Sequence, residues 1–174
     1  MKKLFLLVVL WLSLLTGIQA QFPKAIFPGD YPDPSILRDG KDYYMTHSPF
    51  CYAPGLLIWH STDLLHWEPV CRALAEYEAS IWAPDLLKYQ NRYYIYYPTS
   101  TGENFVIYAD NIRGPWSKPV KLDVKGIDPG HVVGEDGKRY LFTNNGWITP
   151  LSDDGLKVTG KSRKVYDGWE YPAN

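Results

Sequence analysis

One pattern recurs three times along the 174 residues and restricts the fold more than any other feature. "YPDPSILRDGKDYYMTHS" opens a unit near residue 31, "WAPDLLKYQNRYYIYYPTS" a second near 82, and "GIDPGHVVGEDGKRYLFTNNG" a third near 126. Each places an aspartate beside a proline, follows it with a short, largely apolar run, then a polar tetrad, then an aromatic run. The tetrads Arg38-Asp39-Gly40-Lys41, Tyr89-Gln90-Asn91-Arg92 and Glu135-Asp136-Gly137-Lys138 are hairpin signals, because Gly and Asn tolerate the backbone a tight turn demands. Tyr43-Tyr44, Tyr93-Tyr94 and Tyr140-Leu141-Phe142 are the returning strands, since aromatic residues fit a pleated, half-buried surface.

The units continue in parallel. "GLLIWHSTDLLHWEPV" and "NFVIYADNIRGPWSKPV" each supply a third strand, a turn and a fourth strand, with Trp116 in the place of Trp67. The third unit has "ITPLSDDGLKVTGKSRKVY" there, without the Trp. Four short strands in each unit of roughly 40–50 residues is the pattern of a propeller blade. No helical periodicity of any length follows residue 20. The expected fold is therefore all-β, a β-propeller of about three blades starting near 31, 82 and 126, over residues 21–174.

Residues 1–20, "MKKLFLLVVLWLSLLTGIQA", have the form of a secretory signal. Lys2 and Lys3 precede an apolar run, and Ala20 is a small residue at the cleavage point, so Gln21 is expected to begin the mature protein. The run is shorter than the roughly 20 residues a membrane span needs. No cysteine follows Ala20, so no lipid anchor is expected, and the product is secreted or periplasmic. A formal net charge of −1 gives no reason to expect a nucleic-acid or polybasic membrane partner. Aromatic residues make up 16% of the chain; they suit β-strands, and equally suit stacking on sugar rings. Export permits a disulfide between Cys51 and Cys71, but their spacing leaves pairing and separate buried thiols both open.

In a propeller the first strand of each blade lies nearest the axis. Asp33, Asp85 and Asp128, 52 and 43 residues apart, would then point toward one central opening. Any one of them could simply cap a turn; the recurrence is what suggests a site. Asp33 stands between two prolines in "YPDPS", and each proline restricts the residue before it to extended geometry. Such a corner would hold a carboxylate still.

At these positions the chain resembles glycoside hydrolase family 43. The matching motifs are "YPDPSI" at 31–36, "GLLIWHSTDLLHWE" at 55–68, "WAPDLL" at 82–87 and "IDPGHVVGEDGKRYL" at 127–141. The resemblance implies a five-bladed propeller that acts, with inversion, on arabinose- or xylose-containing plant glycans. It implies that Asp33 is the general base activating water, and that Asp128 tunes and orients the general acid. It places Asp85 and Trp82 at the pocket wall, as binding or architectural residues. Phe50 is a candidate for stacking on the sugar, or for packing against the neighbouring blade. His47 could hydrogen-bond a hydroxyl or serve the structure alone.

The family's general acid is a glutamate in a later motif, for which this chain has no match. Glu170, in "YDGWEYPAN", resembles only the lead-in to that motif. The expectation is an N-terminal part of the propeller, truncated after about three blades and inactive alone. No cofactor is expected, and no metal, since the family's axial metal takes its usual ligand from a late blade. A non-catalytic carbohydrate-binding propeller is the alternative.

Overall fold

The computed structural model describes residues 25–76 and 79–167. The leader and Glu170 lie outside them. Twelve strands form three four-stranded antiparallel sheets, each a simple meander. Blade one contains β1 Ser35–Asp39, β2 Asp42–Thr46, β3 Gly55–Ser61 and β4 Glu68–Leu74. Blade two contains β5 Asp85–Tyr89, β6 Arg92–Pro98, β7 Asn104–Ala109 and β8 Val120–Leu122. Blade three contains β9 Gly130–Val133, β10 Arg139–Thr143, β11 Trp147–Pro150 and β12 Arg163–Lys164. The helical content among the described residues is one short 3₁₀ turn, Asn144–Gly146. The chain is all-β, with three propeller blades.

The polar tetrads turn where expected. Gly40 (φ +66°) and Gln90 (φ +54°) both hold left-handed backbone at the first position of two-residue turns. In blade three Gly137 (φ +74°) serves a longer turn, closed by a hydrogen bond from Gly134 N–H to Lys138 O of 2.9 Å. Trp67 and Trp116 also play one role. Each indole N–H donates to a carbonyl in the loop just before it, Leu64 at 3.0 Å and Ile112 at 3.2 Å.

Blade two is buried on both faces, which explains the almost uninterrupted apolar and aromatic run "YYIYYP" of β6. Side chains alternate across a strand. Tyr93, Ile95 and Tyr97 pack with Leu56, Ile58, Ala73 and Leu74 of blade one. Tyr94 and Tyr96 pack with Leu141 and Leu151 of blade three. Ile95, Tyr96, Val106 and Ile107 are fully enclosed. Burying an aliphatic or aromatic side chain this completely contributes about 1.5–3 kcal/mol, so these two inter-blade layers dominate the stability.

Polar groups are also shared across the blades. Lys88 Nζ and Tyr93 Oη of blade two both donate to the Asp39 carboxylate of blade one, the lysine at 2.7 Å. Those bonds hold the Asp39 carboxyl below the usual carboxylate range. Arg139 of β10 is only 1% exposed. Its guanidinium lies over the rings of Tyr89 and Tyr94, 4.4 and 4.5 Å from their centroids. It donates to His131 Nε2 (2.9 Å), Tyr96 Oη (3.1 Å) and Asp153 O (3.1 Å).

Candidate active site

Backbone hydrogen bonds between one corresponding pair of positions set the register at the start of the blades, with donor and acceptor exchanged in blade two. Ser48 N–H donates to Pro32 O (3.0 Å), Trp82 N–H to Pro98 O (3.1 Å), and Asn144 N–H to Ile127 O (2.9 Å). Pro32, Trp82 and Ile127 are therefore equivalent. The next residues, Asp33, Ala83 and Asp128, are equivalent as well. Then come Pro34, Pro84 and Pro129, and then the strand-starting Ser35, Asp85 and Gly130. The strand pairings agree: Ser35 faces Thr46, Asp85 faces Tyr96, and Gly130 faces Phe142. This corrects the threefold reading of the acids. Asp33 and Asp128 correspond, but Asp85 is displaced by two residues, and blade two has Ala83 in the matching place.

The displaced acid has a structural task. Ser35 Oγ accepts a hydrogen bond from Leu86 N–H of the next blade, at 2.9 Å. Asp85 Oδ2 accepts one from His131 N–H of the blade after it, at 2.7 Å. The same clasp thus joins successive first strands at their starting ends. It sets β1 beside β5 and β5 beside β9, the placement of inner strands around a propeller axis. Asp33 and Asp128 consequently stand at the same end, on either side of Trp82 and Ala83. Asp85 is largely withdrawn from solvent. Burial raises its carboxyl pKa, and the His131 N–H opposes that rise.

Asp33 and Asp128 share a second property. Their φ angles are +52° and +56°, in the left-handed region. The flanking prolines predict extended backbone at Asp33; instead the chain bends there. Aspartate is among the few non-glycine residues that tolerate this conformation, and backbone strain of this kind concentrates at functional sites. Both acids are exposed. Ser48 Oγ donates to Asp33 Oδ2 at 2.6 Å, fixing one carboxylate oxygen. Ser48 does not stand out in the sequence; its position directly after His47 in "MTHSP" is the one signal for it. A solvent-facing carboxylate oriented by one hydroxyl can take a proton from water.

Phe50 lies in the β2–β3 loop, also with left-handed backbone (φ +48°). It forms an antiparallel bridge with Ile81, with both N–H···O bonds at 3.1 Å, so Trp82 is the neighbour of its partner. Both aromatics are half-buried. Phe50 and His47 line a cavity of about 860 Å³, together with Asp30, Tyr31, Trp59 and Arg72. Neither Asp33 nor Asp128 lines that cavity. It opens on the face of blade one turned away from blade two: Trp59 alternates along β3 with Ile58, which packs against blade two.

His47 is buried edge-on against Tyr31, 5.0 Å between ring centroids. Its Nδ1 donates to Ser48 O at 3.2 Å, which leaves Nε2 as an acceptor without a partner. Burial lowers its pKa and favours the neutral ring. Both cysteines are free thiols, Cys51 exposed and Cys71 half-buried. Among the described residues, no group of three or more His, Cys, Asp or Glu side chains converges as a metal site would.

The sequence profile of glycosyl hydrolases family 43 matches residues 22–174. The chain is 34% identical over 169 residues to a xylosidase/arabinosidase of Butyrivibrio fibrisolvens, covering 82% of this chain and 33% of that protein. It is 36% identical over 145 residues to xylosidase/arabinosidase 43B of Humicola insolens, covering 73% and 27%. Among solved structures, the GH43 protein BlXynB of Bacillus licheniformis superposes with a TM-score of 0.77 at 31% identity, covering 86% of this chain and 34% of that one. The xylan beta-1,4-xylosidase of Bacillus halodurans does so with a TM-score of 0.75, also at 31% identity, covering 86% and 34%. The chain spans about a third of the length of these relatives.

Proposed function

Because the chain belongs to glycosyl hydrolases family 43, we propose that it supplies two carboxylates of an inverting hydrolase of xylose- or arabinose-containing glycans. The observation that carries this reading is the pairing of Asp33 with Asp128. Two exposed acids occupy equivalent bends, at one end of the inner strands, while the third acid of the sequence pattern is spent on a clasp. Asp33 is the general base. It takes a proton from water, and the oxygen attacks the anomeric carbon as the glycosidic C–O bond breaks. Asp128 orients and tunes the acid that protonates the departing oxygen. An inverting pair works at a separation of roughly 6.5–9.5 Å, which leaves room for the water. Trp82, beside Ala83, forms the wall between the two carboxylates, and Phe50 offers a face to the sugar ring. Residues 1–20 direct export, so N-terminal sequencing of the secreted product should begin at Gln21.

The test is hydrolysis of aryl xylosides and aryl arabinofuranosides by this chain and by any longer product of its gene. No described residue is assigned as proton donor, so this chain alone should give no turnover. A longer product that carries the acid should release sugar of inverted configuration, read by NMR of the first-formed product. Asp33→Asn should lower its rate by roughly 10²- to 10⁴-fold, the usual loss of a general base. Retention of configuration, or near-full activity in Asp33→Asn, would overturn the assignment.

A further inference from the structure

We propose that the cleft between blades two and three, at the end of the strands remote from Asp33 and Asp128, binds a pentose unit and tethers a glycan away from the central site. The kind of sugar rests on the glycan reading above. The cleft is a cavity of about 320 Å³, lined by Tyr89, Tyr94 and Asp110 of blade two and by Asp153 and Asp154 of blade three. Register explains the grouping. Arg92 faces Tyr89 and Tyr94 faces Leu87 across the β5–β6 pair, and Tyr94 faces Tyr108 across the next. Side chains alternate across a strand, so Tyr89, Arg92, Tyr94 and Tyr108 share the face that packs toward blade three. Asp85 begins β5 and Tyr89 ends it, so four residue steps, roughly 13 Å, separate this end from the end that carries the acids.

Tyr94 is the residue that points to a ligand. It is only 4% exposed, yet its phenol oxygen is not enclosed and has no hydrogen-bond partner among the described residues. The cavity is the space that reaches it. A buried tyrosine hydroxyl normally finds a partner. Tyr96, two residues further along the same face, donates to Gly155 O at 2.9 Å and accepts from Arg139 at 3.1 Å. Tyr94 cannot turn to find one of its own. Its ring is held under the Arg139 guanidinium and beside the rings of Tyr96 and Tyr108.

The rest of the wall offers free donors and acceptors together. Asp110 Oδ1 accepts from Arg92 at 2.8 Å, and Asp154 Oδ1 accepts from Ser152 Oγ and Leu156 N–H. The second oxygen of each is uncommitted, and the Asp153 carboxylate and the Gln90 and Asn91 amides have no partner among the described residues. The carboxylates stand against the guanidiniums of Arg92 and, behind the rings, Arg139, so the charges nearly balance. No three acids among the described residues converge as a cation would require. A neutral ligand that both donates and accepts at several hydroxyls suits such a wall, and a sugar ring has that form and fits the volume. The Arg139 contacts fix both sides of the cleft beforehand, so binding orders little further.

The experiment titrates the intact chain with xylohexaose, with arabinohexaose and with calcium chloride, following the tyrosine rings and the Trp82 indole N–H by NMR. At least one glycan should shift the Tyr89 and Tyr94 rings, and calcium should not. Tyr94→Phe removes only the hydroxyl and should weaken binding at the cleft roughly threefold to tenfold, read from the Tyr89 ring. Asp153→Asn changes an exposed, unpartnered side chain, so it should weaken the same binding with the urea midpoint unmoved, which separates binding from damage to the fold. Trp82→Ala should leave the tyrosine response as it is. Rings that move with neither glycan, or with calcium alone, would overturn the proposal. So would an unaltered affinity in both cleft variants, or a tyrosine response abolished by Trp82→Ala. The central site is read separately through the Trp82 indole: a tyrosine response with a silent Trp82 leaves the cleft standing and counts against the site at Asp33.

Discussion

Replacing Arg139 with Met tests whether a single buried cation locks blade two to blade three. Methionine fills a similar volume, so the experiment removes charge and donors more than packing. The guanidinium loses two ring faces at 4.4 and 4.5 Å, each contributing about 0.5–2 kcal/mol. Three hydrogen bonds, at 2.9, 3.1 and 3.1 Å, go with it. Tyr96 Oη keeps a partner, because it donates to Gly155 O at 2.9 Å. Asp153 belongs to an exposed turn, where water can replace the lost donor. His131 Nε2 is left without its donor, and an orphaned buried acceptor costs about 1–3 kcal/mol. Against these losses stands the relief of returning a guanidinium to water, itself several kcal/mol. The balance is a destabilisation of about 3 kcal/mol. For a domain of this size that lowers Tm by roughly 6–12 °C. Urea unfolding followed by tryptophan fluorescence gives the number. A second readout is the His131 titration. Burial first, and the charge of Arg139 second, hold that ring down at about 4, so Arg139→Met should move it partway back toward the ordinary value. A loss below about 1 kcal/mol, with His131 unmoved, would show that the cation only fills space.

The pH dependence of stability should carry the signature of His131. Its folded pKa is about 4, below the ordinary 6.5, so its contribution is complete above pH 6.5 and is lost as pH falls from 6.5 toward 4. The full shift corresponds to about 3 kcal/mol; partial access to solvent reduces that to about 2. Urea midpoints at pH 7.5 and 4.5, compared with those of His131→Gln, should differ by that amount, and parallel profiles would refute it. Gln90→Gly should stabilise the protein by about 0.5–1 kcal/mol, because Gln90 holds φ +54° where the equivalent turn of blade one has Gly40; thermal unfolding will show whether the sign is right. Thiol titration of the oxidised, purified protein should find two free thiols per chain, Cys51 reacting quickly and Cys71 slowly, since burial pushes the Cys71 thiol up; a disulfide-linked product would contradict this.

The sequence by itself determined the blades. Tight turns depend on a few residues such as Gly40 and Gly137, whose conformational freedom is a property of the residue type. The alternation in β6 likewise follows from local chemistry, as does the pairing of Asp33 and Asp128, each held in a short Asp-Pro bend. What only the tertiary structure decided lies between blades. Asp85 looks like a third member of the acid series until the strand register moves it by two positions, and its bond to His131 N–H crosses 46 residues. The sequence left Phe50 and His47 with alternatives. The fold places both on a cavity at the outer face of blade one, with Phe50 bridging to the start of blade two. Cys51 and Cys71 were free to pair by compartment and spacing, yet the fold buries one sulfur against Ile112 O and leaves the other in solvent. Arg139, which follows the polar tetrad of the third unit, is the most buried charge among the described residues. The physical reason is common to all of these. A turn or a strand is specified by neighbours a few residues away, but a partner on the next blade exists only after two sheets have packed.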